Sequence, residues 1–148
     1  MEIPPQSLID YRCQRIPRPS TGATRDSVEW LQADLTGDLH ELFEKYRPDA
    51  VIHAAAINPG VDDDKLNTNE TMAARVAEAA KAVGSRLIVV SSDIVHAGAS
   101  LPYSDDARPD PINAYGQSKA AAEAAALACH GNVVCVCADL TDLRVGTC

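Results

Sequence analysis

The sequence lacks a long apolar segment, an excess of positive charge and closely paired cysteines, and each absence excludes a class of protein. Its purely apolar stretches are only a few residues long, whereas a membrane-spanning helix needs about 20. The formal net charge is -8, which disfavours nucleic acids and anionic membranes as partners because both repel an acidic surface. The five cysteines include no CxxC pair, so we expect no metal site.

Aromatic residues are also scarce, at 4% of the 148 residues, but the apolar content of 46% is ordinary for one globular domain. Residues 1–27 contain four prolines and no apolar signal segment. We therefore expect an irregular N-terminal segment and a cytoplasmic location. We expect the remaining chain to form one globular domain at residues 28–137 and an irregular tail at 138–148.

Apolar periodicity predicts an α/β fold. A continuous apolar run at residues 50–56 is typical of a strand buried on both faces of a parallel sheet. Residues 86–91 predict a second buried strand, and residues 132–137 predict another strand. Alanine-rich segments at 67–83 and 113–130 predict helices between them. This alternation indicates right-handed βαβ units, in which ligands bind beyond the carboxyl ends of the strands. We expect Asp38 to cap a further helix, and His53, within the first run, to be a packed residue.

Tyr115 and Lys119 stand four residues apart near the start of the last predicted helix, a spacing that places both on one helical face. A lysine and a helix N-terminus are both expected to lower the pKa of the phenol. Such a tyrosine can pass a proton to or from a carbonyl oxygen. The pair alone is a weak signal because it also occurs on solvated helices. Ser92 strengthens it, since a hydroxyl at the end of a buried strand can hold the substrate oxygen beside the phenol.

Several further blocks follow in a fixed order: Ala33–Thr36 (ADLT), Arg47–Ala56 (RPDAVIHAAA), Asn69, Ser91–Val95 (SSDIV), Pro102–Asp106 (PYSDD) and Pro111–Lys119 (PINAYGQSK). Together they resemble the extended short-chain dehydrogenase/reductases, the branch around dTDP-4-dehydrorhamnose reductase in the NAD-dependent epimerase/dehydratase superfamily. The resemblance runs from about Trp30 to Val136, which is most of the chain.

The resemblance implies a role for each matching residue. Tyr115 would be the general acid, Lys119 would hold the nicotinamide ribose, and Ser92 would orient the substrate. The residues implied to contact the cofactor, NADP or NAD, are Asp34, Leu35, Ala54, Ala55, Ala56, Ser91, Tyr115 and Lys119. The implied reaction is the reduction of a keto group, with a nucleotide-linked sugar as substrate.

The family pattern also begins with a strand and a glycine-rich turn that binds the cofactor pyrophosphate at a helix N-terminus. No GxxGxxG is present, and Thr21-Gly22-Ala23-Thr24 matches only its first half. We therefore expect residues 28–137 to form a partial NAD(P)-binding domain with a Rossmann-like, doubly wound parallel sheet that lacks its first βα unit. The chain is expected to be truncated at both ends, with impaired cofactor binding.

Two alternatives to the reductase remain open. The first is a non-catalytic regulatory subunit resembling that of methionine adenosyltransferase, which would act through a partner enzyme. The second is a sugar-nucleotide epimerase or dehydratase. An inactive fragment of a reductase and a homo-oligomer are further expectations that the sequence leaves open.

Overall fold

The computed structural model describes residues 8–9, 30–60, 63–98 and 103–137. The predicted irregular segments at 1–27 and 138–148, and the partial glycine turn at Gly22, therefore lie largely outside the described residues. Within the first segment, Leu8–Ile9 forms a strand of two residues that the sequence did not predict.

Eight helices and strands organise the described residues. In chain order they are β1 (Leu8–Ile9), β2 (Trp30–Leu31), α1 (His40–Tyr46), β3 (Ala50–His53), α2 (Thr68–Val83), β4 (Arg86–Ser91), α3 (Ala114–Cys129) and β5 (Val133–Cys137). Strand β1 pairs with β2, and a second sheet has the order β3-β4-β5. Every pairing is parallel, which confirms the predicted α/β class with a parallel sheet.

Two helices cover one face of the three-stranded sheet. Leu87 and Val89 of β4 are fully buried in one apolar cluster with Met72 of α2 and Ala122 of α3. Alanine at the helix positions that face the sheet and the other helix lets the backbones approach closely. The helices therefore pack as a tight layer that fixes where the N-termini of α2 and α3 stand relative to the strand ends.

The opposite face corrects the prediction of strands buried on both faces. Ile52 is 62% exposed and Val134 is 51% exposed; they share a row across the sheet with Ile88. Burial alternates along β4, from the buried Leu87 and Val89 to half-buried neighbours. Among the described residues, α2 and α3 lie on the same side of this sheet, so its other face remains accessible.

Hydrogen bonds set the ends of several elements. Asp38 accepts a hydrogen bond from the His40 N–H at 2.9 Å, but the N-cap of α1 is Leu39, which makes no side-chain capping bond. The predicted cap therefore lies one residue before the observed one. Strand β3 ends at His53 rather than at Ala56. The reason is that its register with β4 stops at His53, and the Asn69 side chain bonds both backbone groups of Ile57. No helix in the described part of the chain is long and apolar enough to cross a membrane.

Candidate active site

The carboxyl ends of β3 and β4 meet the N-terminus of α3, and most of the predicted site residues lie there. Strand β4 ends at Ser91 and is followed by a short 3-10 turn, Asp93–Val95, that begins after Ser92. Helix α3 begins at Ala114 because the Asn113 side chain accepts a hydrogen bond from the Gly116 N–H at 2.8 Å. This cap places Tyr115 in the first turn of α3 and Lys119 one turn further on.

Tyr115 is half-buried, and its hydroxyl donates a long hydrogen bond of 3.5 Å to the Asn58 side-chain oxygen beyond the end of β3. Burial raises the pKa of Tyr115 above its ordinary value of 10.0. The expectation that Lys119 lowers this pKa is therefore wrong for the chain as described. Withdrawal of the phenol from water disfavours the phenolate, and no lowering by Lys119 offsets it. The phenol stays protonated near neutral pH, as a proton donor must.

Lys119 is directed at the end of β4. Lys119 is 5% exposed, and its Nζ donates a hydrogen bond of 2.8 Å to the Val90 carbonyl oxygen. His53, at the end of β3, is likewise buried. Burial and the charge of Lys119 lower the pKa of His53 to about 4, so its imidazole is neutral near pH 7. The prediction of His53 as a packed residue is confirmed by this burial.

The two serines at the end of β4 differ in their surroundings. Ser92 is half-buried, and its hydroxyl donates to Asp93 at 3.1 Å and accepts a hydrogen bond from the Ile94 N–H at 3.4 Å. Ser91 is 6% exposed, and its hydroxyl oxygen is buried without a hydrogen-bond partner. A buried hydroxyl without a hydrogen-bond partner is costly, so Ser91 is an unsatisfied polar group at the end of β4.

Asp34 and Leu35, two further predicted cofactor contacts, lie between β2 and α1. Asp34 is exposed and accepts hydrogen bonds from the Thr36 hydroxyl at 2.7 Å and the Thr36 N–H at 2.9 Å. Both hydrogen bonds lower the pKa of the Asp34 carboxyl, and the bond from the Thr36 hydroxyl has the larger effect. Leu35 is buried in the apolar core. Its side chain is therefore committed to packing.

The alanine run after β3 places only short side chains at the edge of the sheet. Ala54 is exposed, and Ala55 and Ala56 are half-buried. None of the three carries an atom beyond Cβ, so a flat molecule can lie close to this backbone.

A buried network that the sequence did not assign connects the two sides of the site. The Asn69 side chain accepts from the Ile57 N–H at 2.7 Å and donates to the Ile57 carbonyl at 3.1 Å and to the Ser118 hydroxyl at 3.0 Å. Ser118 donates in turn to the Tyr115 carbonyl at 2.8 Å. Asn69 thus joins the segment that carries Asn58 to the helix that carries Tyr115. Asn69 is one of the motif residues in the sequence, but no local pattern predicts its hydrogen bonds with Ile57 and Ser118.

Two other features lie apart from this site. A cavity of about 420 Å³ is bordered by residues 36–40 and by Arg75, Glu78 and Ala79, and it includes none of the predicted site residues. In the part of the chain that the structure describes, no three histidine, cysteine, aspartate or glutamate side chains cluster as a metal site.

Comparison with known proteins identifies the family. A family model described as the RmlD substrate binding domain matches residues 19–138, most of the chain. The chain belongs to this family. Among curated proteins, subunit beta of methionine adenosyltransferase 2 from Xenopus tropicalis is 34% identical over 113 residues, which cover 73% of this chain and 33% of that protein. This RmlD-family chain therefore spans about a third of the length of the relative.

Solved structures agree with this family. One similar structure is the dTDP-4-dehydrorhamnose reductase of Bacillus anthracis, which was crystallised with NADP. It superposes with a TM-score of 0.65 at 25% identity, and the match covers 74% of this chain and 44% of the reductase chain. WbmG of Bordetella bronchiseptica, crystallised with NAD and UDP, reaches a TM-score of 0.73 at 24% identity. It covers 88% of this chain and 44% of its own, and at that identity it supports the fold alone. Both confirm the predicted Rossmann-like class.

Proposed function

We propose that this chain carries the catalytic half of an NAD(P)-dependent reductase that acts on a keto group of a nucleotide-linked sugar. The observation that carries the proposal is the placement of Tyr115 and Lys119. Tyr115 reaches Asn58 beyond β3, and Lys119 bonds Val90 near the end of β4. A phenol and an ammonium thus stand at the carboxyl edge of a parallel sheet, where such folds bind ligands.

The residues divide the chemistry between them. Tyr115, protonated because burial raises its pKa, donates its proton to the carbonyl oxygen of the substrate. Ser92 orients that oxygen, and Lys119 holds the nicotinamide ribose. The rest of the cofactor contacts Asp34, the backbone of Leu35, Ser91 and the alanines at 54–56. A reduced nicotinamide bound there would supply the hydride.

The proposal is tested by turnover. We expect the purified chain to oxidise NADPH or NADH only when a keto sugar such as dTDP-4-dehydrorhamnose is present. Because no glycine-rich phosphate turn is evident, we expect cofactor binding weaker than micromolar, measured by the fluorescence of the reduced nicotinamide. Oxidation at the same rate with and without the sugar would contradict the proposal. Turnover of the sugar without net oxidation of NADPH would instead indicate an epimerase or dehydratase.

A regulatory role is the second candidate, and one comparison favours it. The relative from Xenopus tropicalis is a subunit of methionine adenosyltransferase 2 and is 34% identical. In this case the chain would bind a catalytic methionine adenosyltransferase subunit rather than turn over a sugar. Co-purification with that subunit, without sugar-dependent oxidation of NADPH, would support this role. Reductase turnover without such binding would exclude it.

A further inference from the structure

Gly116, the residue after Tyr115, lies where α3 touches the segment that follows Ser92. Gly116 is buried. A Cβ added to it would approach the Ile94 carbonyl oxygen well within the 3.0 Å that real Cβ atoms respect, and would lie 3.0 Å from the Pro111 Cβ. The Ile94 oxygen belongs to the backbone and cannot rotate away. A side chain at position 116 therefore forces one of the two segments to move.

Ile94 is also tied to Ser92. Its N–H donates to the Ser92 hydroxyl at 3.4 Å, and the Val95 N–H bonds the Ser92 carbonyl at 3.3 Å. The Val95 carbonyl accepts a hydrogen bond from the Asp110 N–H at 2.9 Å. This bond also holds the turn in place. Contacts through the single residue Ile94 thus connect the Ser92 hydroxyl with the peptide that follows Tyr115.

We propose that Gly116 is a positioning residue that sets the separation between the Ser92 hydroxyl and the Tyr115 phenol. It does so because it allows the backbone of α3 to rest directly against the Ile94 carbonyl. The inference rests on the proposed function, which gives Ser92 and Tyr115 their roles at one substrate oxygen. Ordinary van der Waals contact for an added Cβ begins at 3.4 Å, so an added methyl group would displace the turn by on the order of 1 Å. A displacement of that size costs roughly 100-fold in rate.

The test is a double-mutant cycle with Gly116→Ala and Ser92→Ala. If Gly116 acts through the position of Ser92, Gly116→Ala lowers kcat by roughly 100-fold in the otherwise unchanged chain. In the Ser92→Ala background the same substitution then costs little, because the two losses are not additive. A general loss of folded protein would lower the rate by the same factor in both backgrounds. That result, or an unchanged kcat in Gly116→Ala, would overturn the inference.

Gly131→Ala is the matched control. Gly131 follows α3, and a Cβ added to it would meet no atom within 4 Å. We expect this variant to keep both the wild-type kcat and the wild-type melting temperature. Loss of rate in Gly131→Ala equal to that in Gly116→Ala would attribute the effect to helix α3 in general and would overturn the inference.

A second readout needs no turnover. In ¹⁵N spectra, the amide signals of Ser92 and Ile94 are expected to move in Gly116→Ala and to stay in place in Gly131→Ala. Should the wild-type chain turn over no keto sugar, the proposed function fails, and these spectra alone decide the inference. Unmoved amides would overturn it.

Asn113 provides the test if Gly116→Ala does not fold. Asn113→Ala releases the Gly116 N–H from its cap without adding an atom at the contact. The amides of Ser92 and Ile94 are then expected to move, and Asn113→Asp, which still accepts the bond, is expected to restore them. Unmoved amides in Asn113→Ala would overturn the inference.

Discussion

The buried imidazole of His53 gives the chain a pH-dependent stability whose size follows from its surroundings. His53 lies at the end of β3, where burial and the charge of Lys119 lower its pKa from 6.5 to about 4. In the unfolded chain the imidazole takes up a proton near pH 6.5, whereas in the folded chain it stays neutral until about pH 4. The unfolded state therefore binds more protons between these values, and stability falls as the pH falls.

The magnitude follows from the width of that window. Each pH unit between the two pKa values is worth about 1.4 kcal/mol, so the folded chain is expected to lose roughly 2 kcal/mol between about pH 6.5 and pH 5. The full loss, reached near pH 4, is roughly 3 kcal/mol. Above pH 6.5 both states hold a neutral imidazole, and the contribution of His53 is constant.

Urea unfolding at pH 7 and at pH 5 measures this loss. In His53→Gln, which has no titrating group, the difference between the two pH values is expected to shrink by roughly 2 kcal/mol. The control is His40→Gln, because His40 is exposed at the start of α1; it is expected to keep the wild-type difference. An unchanged difference in His53→Gln would refute the placement of a neutral histidine beside Lys119.

Two further predictions concern the site itself. Tyr115 is expected to ionise above pH 10.0 in the free chain, because burial raises its pKa. Its ionisation is measured as the part of the phenol absorbance change that Tyr115→Phe removes. Ionisation below pH 10.0 would contradict this and would indicate that Lys119 lowers the pKa. Replacement of Asn69 by alanine strips hydrogen bonds from Ile57 and Ser118 and is expected to lower the free energy of unfolding by roughly 3 kcal/mol. Asn67→Ala, at an exposed residue without a capping bond, should cost far less in the same urea experiment, and equal losses would contradict the buried network.

Much of the fold follows from local patterns in the sequence. The apolar runs and alanine-rich segments predict α2, α3, β4 and β5 to within a residue or so, since burial and helix propensity act locally. Strand β3 is shorter than its apolar run because its pairing with β4 stops at His53. The backbone of Ile57 instead forms hydrogen bonds with the Asn69 side chain. Those bonds join residues 12 positions apart, so no local pattern contains them.

The site shows the same division between local and long-range effects. The alanine-rich segment at residues 113–130 correctly predicts the helix that carries Tyr115 and Lys119 near its start. The sign of the shift in the pKa of Tyr115 depends instead on how far the phenol is withdrawn from water, which is a property of the assembled fold. The need for glycine at position 116 arises from a contact with Ile94, a residue on another segment, and it too appears only when the elements are packed.

The central claim is that Tyr115 donates the proton in a nicotinamide-dependent reduction. Its most direct test compares the sugar-dependent oxidation of NADPH by the wild-type chain, Tyr115→Phe and Tyr46→Phe. Tyr46, at the end of α1, is the control for loss of a phenol elsewhere. With NADPH at millimolar concentration, we expect turnover in the wild type and in Tyr46→Phe and none in Tyr115→Phe, with all three chains folded. Equal rates in the wild type and in Tyr115→Phe would contradict the account.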